Sequence, residues 1–571
     1  MPTELRLLRF FGDSFPVAIG ILGMFLFGSA PALGFGVNCP VLHPGPPTDA
    51  SKALLASHYD QAATLYAAEV AARPVDPEAV GGLVHALLRQ QKVKEAADAV
   101  SAALNKAPTS AGLMVLRGEV ELREGIPWDA AKTANNAVTA DPCNPRARLL
   151  MARVAEINSL HATARSQIVT AHKLDPDDRE VQEQWIWTLP AKQRIAEIEA
   201  YLAAPTGDDP EDIRHLQMYL DFLKKLADEP RKSCHLVSQT GSAEVPFAAL
   251  MRDGTHVRAY GLEVKLNNHS ARLQIDTGAG GLLISRSVAE HAGLKALSRL
   301  EVGGIGDQGA KGGYTAYADS IRIGNMEFAD CPVRVLDSRN VMDDSDGLIG
   351  MDVFAQFLVT LDYPMRKLLL GPLPPRPGEV ETKAPVLKTE NSDAGDDVDE
   401  SASGAAAKPA APAPSQPANP ANHGPYDRYV APEMKDYTEV YRIGHDLILP
   451  ASLNDKAVKL FIMDTGAWAT TISQQAAREV SKLHSEDTRV RGLSGEVNKV
   501  YSTDDITFKF AHLSQRADGV YAFDTSHISK NTGMEISGFI GANTLKLLTI
   551  HIDYRDGLVK FDYNPNRGYR N

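Results

Sequence analysis

The sequence predicts an α-helical repeat solenoid followed by two all-β units that are duplicates of one another. Three observations predict this fold class. A proline recurs every 34 residues in the first third of the chain, at Pro74, Pro108, Pro142 and Pro176. An Asp-Thr-Gly-Ala motif occurs twice, at residues 276–279 and 464–467, each time after an apolar run. Between the two copies, residues 373–425 are rich in Pro, Ala and acidic residues, which is typical of a disordered linker.

The N-terminus has the pattern of an export signal. Arg6 and Arg9 precede an apolar run at 15–28, and Ala30-Pro31-Ala32 offers small residues for cleavage. We therefore expect a signal peptide over residues 1–32 and an exported protein, periplasmic or extracellular, whose mature chain begins near Gly34. The apolar run is short for a membrane span, which needs about 20 residues. An uncleaved membrane anchor is the alternative.

Composition excludes some classes of function. A chain of 571 residues has room for three or four domains. The net charge of -13 argues against a nucleic-acid partner. The 16 histidines show no His-x-x-x-His spacing, and no Cys-x-x-Cys pair occurs. We therefore expect no metal site and no cofactor.

The four cysteines are spread widely along the chain. Cys234 and Cys331 fall in the same β unit and could pair in an exported protein, but the sequence leaves this pairing open. Cys143 falls in a loop between predicted helices, where we expect a free, partly buried thiol.

Residues 50–205 are predicted to form helical repeats. An alanine precedes each periodic proline by twelve residues, at Ala62, Ala96, Ala130 and Ala164. A small residue lets the two helices of a hairpin approach closely, and the proline ends the second helix. This is the tetratricopeptide period and pattern. Such solenoids usually hold a peptide or protein partner on their concave face, although a spacer without a ligand is the alternative. Residues 206–232 are predicted to be a helical cap or connector.

The β units, over 233–372 and 426–568, share an ordered series of matches. Both motif copies lead into an apolar segment that ends in Ile-Ser. Gly347-Leu348-Ile349-Gly350 matches Gly538-Phe539-Ile540-Gly541, now with three extra residues in the second copy. Leu361-Asp362-Tyr363 then matches Ile552-Asp553-Tyr554 at the same shifted offset. Ordered matches with one small insertion indicate a duplicated domain.

These motifs, with the Gly-rich segments 302–306 and 491–495, resemble the retropepsin-like aspartic peptidases, especially bacterial relatives with an N-terminal helical region. The resemblance implies that Asp276 and Asp464 are the catalytic pair. It implies supporting roles for the neighbouring residues Thr277, Gly278, Thr465 and Gly466. It also implies two flaps over the substrate, formed by Gly303, Gly304, Ile305 and Gly306 and, less fully, by Gly492 and Leu493.

Two paired carboxylates would share one proton and activate a bound water by general acid–base catalysis. Ala279 and Ala467 stand where pepsin-type enzymes often have Ser, which implies a less acidic optimum. The leading hypothesis is an exported aspartic endopeptidase acting on a peptide or protein substrate, whose repeats recruit that substrate or a protein partner. One alternative is an inactive binding or scaffold protein that works through its repeats. Another is that each β unit pairs with the same unit of a second chain.

Overall fold

The computed structural model describes residues 39–43, 45–204, 208–238, 240–251, 256–338, 345–377 and 427–565. The predicted signal peptide lies outside the described residues, as does nearly all of the predicted linker. Within these ranges, no helix combines the length and the apolar character that crossing a membrane requires.

The N-terminal part is helical, as predicted. Its helices are α1 (Asp49–Leu55), α2 (Tyr59–Ala72), α3 (Pro77–Arg89), α4 (Val93–Leu104), α5 (Ala111–Arg123), α6 (Pro127–Ala140), α7 (Pro145–Ile157), α8 (His161–Leu174), α9 (Arg179–Ile186), α10 (Ala191–Leu202) and α11 (Pro210–Asp228). The periodic prolines closely follow α2, α4, α6 and α8, and the four periodic alanines are all buried. The repeat pattern therefore marks where each helical hairpin ends and where its two helices touch.

The repeats also begin in the same way. A polar residue caps the N-terminus of the first helix in successive repeats, at Asp76, Ser110, Asn144 and Asp178. Each side chain accepts a hydrogen bond from a backbone N–H in the first turn. Such a cap stabilises a helix by about 1 kcal/mol. These caps are again 34 residues apart, so periodic residues mark both ends of each hairpin.

A disulfide ties the start of the described chain to the solenoid. Cys39 bonds to Cys143 across a separation of 104 residues. The prediction of a free thiol at Cys143 is therefore wrong. The segment after Cys39 runs back along the helices, where the Leu42 N–H donates to the Leu174 carbonyl at 2.8 Å. Nothing in the local sequence indicates this return.

The first β unit follows α11. Its strands are β1 (His235–Leu236), β2 (Ala243–Pro246), β3 (Ala248–Met251), β4 (Val257–Leu266), β5 (His269–Asp276), β6 (Leu282–Ser285), β7 (Ala296–Val302), β8 (Lys311–Ile323), β9 (Met326–Leu336), β10 (Gly347–Gly350), β11 (Phe357–Asp362) and β12 (Lys367–Pro372), with α12 (Arg286–His291) after β6. The possible Cys234–Cys331 disulfide forms, with the Cα atoms 4.4 Å apart. It joins the chain just before β1 to β9.

The second β unit begins after the segment that is not described. Its strands are β13 (Thr438–Glu439), β14 (Tyr441–Ile443), β15 (Asp446–Leu453), β16 (Ala457–Met463), β17 (Thr471–Ser473), β18 (Leu483–Glu486), β19 (Arg491–Gly492), β20 (Gly495–Glu496), β21 (Val500–Thr503), β22 (Ile506–Phe510), β23 (Leu513–Ala517), β24 (Tyr521–Phe523), β25 (Gly538–Ile540), β26 (Thr549–Asp553) and β27 (Leu558–Asp562). Its helices are α13 (Gln474–Val480), α14 (Ser526–Thr532) and α15 (Ala542–Leu545).

Both units use the same parallel pairing to place their Asp-Thr-Gly turns. In the first unit, β10 pairs in parallel with β5, so that Gly350 lies opposite Asp276. In the second, β25 pairs in parallel with β16, so that Ile540 lies opposite Met463. The duplicated segments 347–350 and 538–541 therefore lie beside β5 and β16, the strands that lead into the two Asp-Thr-Gly turns.

One sheet belongs to both units. Its strand order is β13-β27-β26-β11-β12-β2, and the antiparallel pair β11–β26 joins the units with Leu358 opposite Asp553. The largest cluster of buried apolar side chains likewise contains residues of both units. The two copies thus fold against one another as a single body.

The helical repeats pack on the β units. The Glu535 N–H lies 3.4 Å from the Leu122 carbonyl, and the backbone N–H groups of Ala162 and Thr163 donate to Asp427. Helix α11 packs along β7, where Arg214 forms an ion pair with Glu301 at 3.1 Å. The solenoid is therefore held at several points rather than tethered by one linker.

Candidate active site

The structure brings Asp276 and Asp464 together. Asp276 ends β5, and Asp464 directly follows β16. The Asp464 N–H donates to the Ile540 carbonyl at 3.0 Å, which fixes the second turn against β25. The two carboxyl groups share a hydrogen bond. One Asp-Thr-Gly turn from each unit therefore meets its counterpart within one chain.

The two threonines join the turns reciprocally. The Thr277 N–H donates to the Thr465 hydroxyl oxygen, and the Thr465 N–H donates to the Thr277 hydroxyl oxygen, both at 3.0 Å. The Thr277 hydroxyl donates to the Met463 carbonyl at 2.6 Å. The Thr465 hydroxyl donates to the Ile275 carbonyl at 3.2 Å. All four residues of this network are buried, so the bonds hold the turns in one relative position.

The glycines of the two turns leave room for the opposite carboxylate. A Cβ atom at Gly278 would lie 2.8 Å from the carboxyl carbon of Asp464. A Cβ atom at Gly466 would collide with the carboxylate of Asp276. Any side chain at either position would therefore push the two acids apart.

The two acids have different hydrogen-bond environments. Asp464 Oδ1 accepts from the N–H groups of Gly466 and Ala467, both at 2.8 Å. Asp276 Oδ1 accepts from the N–H of Gly278 at 2.9 Å. Because backbone donors stabilise the ionised form, Asp464 is the better stabilised anion of the pair.

Burial and the neighbouring charge determine how the pair titrates. Burial raises the pKa of Asp276 well above its usual value, and the negative charge of Asp464 raises it further. Burial also raises the pKa of Asp464, but the N–H donors of Ala467 and Gly466 oppose this. A positive charge on nearby His445 would lower the pKa of both acids. The shared proton therefore rests mainly on Asp276.

The predicted flap segments are hairpin tips that meet each other. In the first unit the tip joins β7 to β8, and in the second it joins β19 to β20. The Gly304 N–H donates to the Ser494 hydroxyl at 3.0 Å, and the Ser494 N–H donates to the Ile305 carbonyl at 3.0 Å. The Gln308 N–H then donates to the Ser494 carbonyl at 2.8 Å. Both flaps are thus closed and bonded tip to tip.

Three of the four predicted flap glycines lie where the tips meet. A Cβ atom at Gly304 would lie 2.8 Å from Leu493 Cβ, and one at Gly492 would lie 2.7 Å from Ile305 Cβ. Gly306 has a φ of 130° and lies against the Ser494 backbone. Gly303 differs, because a Cβ atom there would meet nothing within 4 Å.

Each flap tip also sends an apolar side chain to the opposite unit. Leu493 packs against the buried cluster of the first unit that contains Leu283 and Leu348. Ile305 packs in the cluster of the second unit that contains Ile462 and Phe539. Leu348 and Phe539 occupy matching positions in the duplicated segments 347–350 and 538–541, so each flap tip packs against the corresponding cluster of the opposite unit.

Several contacts at this site were not expected from the sequence. Gln274 donates to the Gly466 carbonyl at 3.3 Å, and Arg258 donates to Gln274 at 2.8 Å. Burial raises the pKa of the Tyr363 hydroxyl, and the nearby charges of Asp276 and Asp464 raise it further. These residues and His445 lie outside the motif copies. Of these residues, only Tyr363 could have been singled out from the sequence, because it recurs as Tyr554 in the second unit.

Within the described part of the chain, no three His, Cys, Asp or Glu side chains are grouped as metal ligands.

Two family models match the chain. Residues 262–353 match the aspartyl protease model, and residues 50–111 match the tetratricopeptide repeat model. The first range contains Asp276, the first flap and Gly350. These matches confirm the resemblance found in the sequence.

The solved structures that are similar include one of each kind. The aspartic proteinase from Irpex lacteus is 10% identical with a TM-score of 0.34, and the match covers 57% of this chain and 98% of that chain. A thermophilic TPR protein from Thermus thermophilus is 18% identical with a TM-score of 0.24, covering 29% of this chain and 91% of that chain. No curated protein matches. The chain combines tetratricopeptide repeats with an aspartyl-protease-like domain.

Proposed function

We propose that this protein is an exported aspartic endopeptidase whose active site forms between the two β units of one chain. The observation that carries this proposal is the hydrogen-bonded pair of Asp276 and Asp464, held by reciprocal turns from the two units. Two carboxyl groups that share one proton can supply an acid and a base at the same time. The substrate would be a peptide or protein segment bound between the pair and the flaps.

The unequal environments of the two acids assign their roles. Asp464, ionised and stabilised by two N–H groups, is the base that takes a proton from a bound water. Asp276, which holds the shared proton, donates it to the oxygen of the peptide carbonyl. The hydroxide equivalent forms a bond to the carbonyl carbon, which gives a tetrahedral diol.

The second half of the reaction returns the pair to its starting state. Asp464 passes the proton that it took from water to the leaving nitrogen, and the C–N bond breaks. A hydroxyl of the diol returns its proton to Asp276 as the carboxylic acid product forms. The reaction needs no covalent enzyme intermediate and no metal. The flaps must open before a substrate binds, because their tips are bonded together.

A peptide cleavage assay tests this proposal. The purified protein should cleave members of a peptide library, and pepstatin should inhibit the cleavage. Asp276→Asn and Asp464→Asn should each abolish cleavage with little effect on folding. Asp319→Asn, which changes an exposed acid of the first unit, is the matched control and should remain active. Failure of the folded protein to cleave any peptide would favour the alternative of an inactive binding protein.

We propose export on two grounds. The N-terminal segment has the charge and apolar pattern of a signal peptide. All four cysteines are in disulfides, which persist in oxidising compartments. N-terminal sequencing should find a mature chain that begins near Gly34, outside the cytoplasm. Recovery of the full-length chain in the cytosol would contradict export, and a full-length chain in the membrane would favour the anchor.

We also propose that the repeats recruit a protein substrate or partner. Side chains from the first helices of successive repeats form one charged cluster. His85 contacts Glu119 at 2.9 Å, and Glu180 pairs with Arg146 at 2.7 Å and with Arg153 at 3.2 Å. About a third of the Arg153 side chain is exposed, so a polar partner segment can contact it.

Recruitment predicts different effects on short and long substrates. Arg153→Ala should leave the cleavage of a short peptide unchanged but slow the cleavage of a protein substrate. Lys132→Ala, on the second helix of its repeat, is the control and should change neither rate. Equal rates for both variants on the protein substrate would contradict a recruiting role for this cluster.

A further inference from the structure

Trp468 lies on the same turn as Asp464, four residues further along the chain. Its side chain is 58% exposed, the largest fraction for any large apolar residue in the described ranges. Four residues span at most about 14 Å, so the Cα atoms of Asp464 and Trp468 lie within about 14 Å of one another. An exposed Trp is a typical anchor for a ligand, because it offers a large, rigid apolar surface.

The backbone that carries this ring is held firmly. The Asn543 N–H donates to the Trp468 carbonyl at 3.0 Å, and the Ala542 N–H donates to the Ala467 carbonyl at 2.8 Å. The Thr470 N–H donates to the Asn543 side chain at 2.8 Å. Helix α15 therefore holds the turn on both sides of Trp468, and the exposure of the ring is a property of an ordered segment.

The indole ring of Trp468 has no counterpart in the first unit. The Lys546 ammonium lies 5.2 Å from the centre of the indole, within the range of a cation–π contact. The matching residue of the first turn, four residues after Asp276, is Gly280, which has no side chain. Of the two Asp-Thr-Gly turns, the aromatic surface therefore belongs to the second alone.

We propose that Trp468 is a specificity-determining residue that stacks against an aromatic side chain of the bound peptide. This inference rests on the proposed function in that the peptide lies across the acid pair. An extended peptide advances about 3.3 Å per residue, so the contact falls within four residues of the scissile bond. The contact lies on one side of the scissile bond, because the matching position of the first unit is Gly280, which has no side chain.

Binding of peptides to an inactive protein tests the proposed role of Trp468 without any cleavage. Fluorescein-labelled octapeptides would carry one Phe at each position in turn, in an Ala-Gln background, and bind to the Asp276→Asn protein. One Phe position should improve the Kd by up to about tenfold over the parent peptide. Adding Trp468→Ala should reduce that preference to less than about twofold, whereas Trp468→Phe should retain most of it.

Two controls separate a specific role of Trp468 in peptide binding from a general effect of substitution on the protein. Met365→Ala removes another exposed apolar side chain, 55% exposed, and should leave the preference unchanged. Trp468→Phe, which keeps an aromatic ring at this position, should bind the parent peptide and the preferred Phe peptide in nearly the same ratio as the unmodified protein. A preference that survives Trp468→Ala, or no Phe preference at any position, would overturn the inference. Failure of the active protein to cleave peptides would overturn the proposed function instead, because this assay needs only binding.

Discussion

Thr277 and Thr465 each donate a backbone N–H to the hydroxyl oxygen of the other, at 3.0 Å in both directions. The same hydroxyls donate onward to the carbonyls of Met463 and Ile275. Each threonine therefore bonds to the backbone of the opposite unit twice. This arrangement makes the geometry of the acid pair depend on contacts between the units as well as on each turn.

Thr277→Val should weaken both stability and activity. It removes the acceptor of the Thr465 N–H and the donor to the Met463 carbonyl, leaving two buried polar groups unpaired. Each such group costs about 1–3 kcal/mol, so we expect a loss of roughly 2–6 kcal/mol and a fall in activity of at least tenfold. Thermal unfolding and initial rates measure the two effects. Thr277→Ser keeps the hydroxyl and is the control; equal behaviour of the two variants would reject the role of the network.

Ser494→Ala should loosen the closed flaps. The serine hydroxyl accepts from the Gly304 N–H, while two backbone bonds between the tips remain. Loss of one bond worth about 1 kcal/mol should speed hydrogen exchange at the Gly304 amide by about fivefold. Mass spectrometry of exchange in the free protein measures this. Ser529→Ala, in α14, controls for general effects, and unchanged protection of residues 303–308 would contradict the bond.

The pH profile of cleavage should be bell-shaped. Activity requires one proton on the pair, so it should fall at low pH as Asp464 becomes protonated and at high pH as Asp276 loses its proton. Because burial and the charge of Asp464 raise the pKa of Asp276, the high-pH limb should extend above the range of an ordinary carboxyl group. Ala467→Ser adds a hydroxyl that can stabilise the ionised pair, so both limbs should move to lower pH. If the pH profiles of kcat/KM for wild type and Ala467→Ser coincide, the expected stabilisation of the ionised pair by the added hydroxyl is contradicted.

Asp553→Asn should stabilise the fold at neutral pH. Burial raises the pKa of Asp553 to about 6, with a further contribution from the charge of Asp556. The charged form is therefore disfavoured in the folded state, so stability falls as pH rises from about 4 to about 6. The variant should gain on the order of 2 kcal/mol over wild type at pH 7.5 and little at pH 4. Asp553 also caps a turn by accepting from the Asp556 N–H at 3.1 Å.

The matched variant Asp362→Asn controls for the turn cap. Asp362 accepts from the Met365 N–H at 3.1 Å in the equivalent turn of the first unit. Urea unfolding at both pH values measures all three proteins. A gain for Asp553→Asn that is the same at pH 4 and pH 7.5 would contradict the charge-burial explanation.

The parts of the fold that follow local rules could be predicted from the sequence. The repeats are visible because each proline ends a helix and each alanine fills a close helix contact, at fixed spacing. The Asp-Thr-Gly turns are visible because the same motif recurs after an apolar run in each unit, and its Gly leaves room for the opposite carboxylate. The turns after Asp362 and Asp553 are local in the same way, because each Asp accepts a hydrogen bond from the N–H of a residue only three positions away.

The contacts that could not be predicted join residues far apart in the sequence. Cys39 meets Cys143 only because the N-terminal segment returns along the solenoid. Ser494 differs from Gly306 in the duplicated pattern, and its bond to Gly304 depends on how the two tips meet. Packing of the repeats on the second unit, as between Glu535 and Leu122, has no local signal either.

We propose above all that Asp276 and Asp464 of one chain form a single active site. The most direct measurement is peptide cleavage by Asp276→Asn protein, by Asp464→Asn protein, and by an equal mixture of the two. If the site forms within one chain, each variant is inactive, the mixture stays inactive, and wild-type specific activity is constant down to nanomolar concentrations. Strong recovery of activity on mixing, or wild-type specific activity that falls on dilution, would show that the sites assemble between chains and would contradict the account.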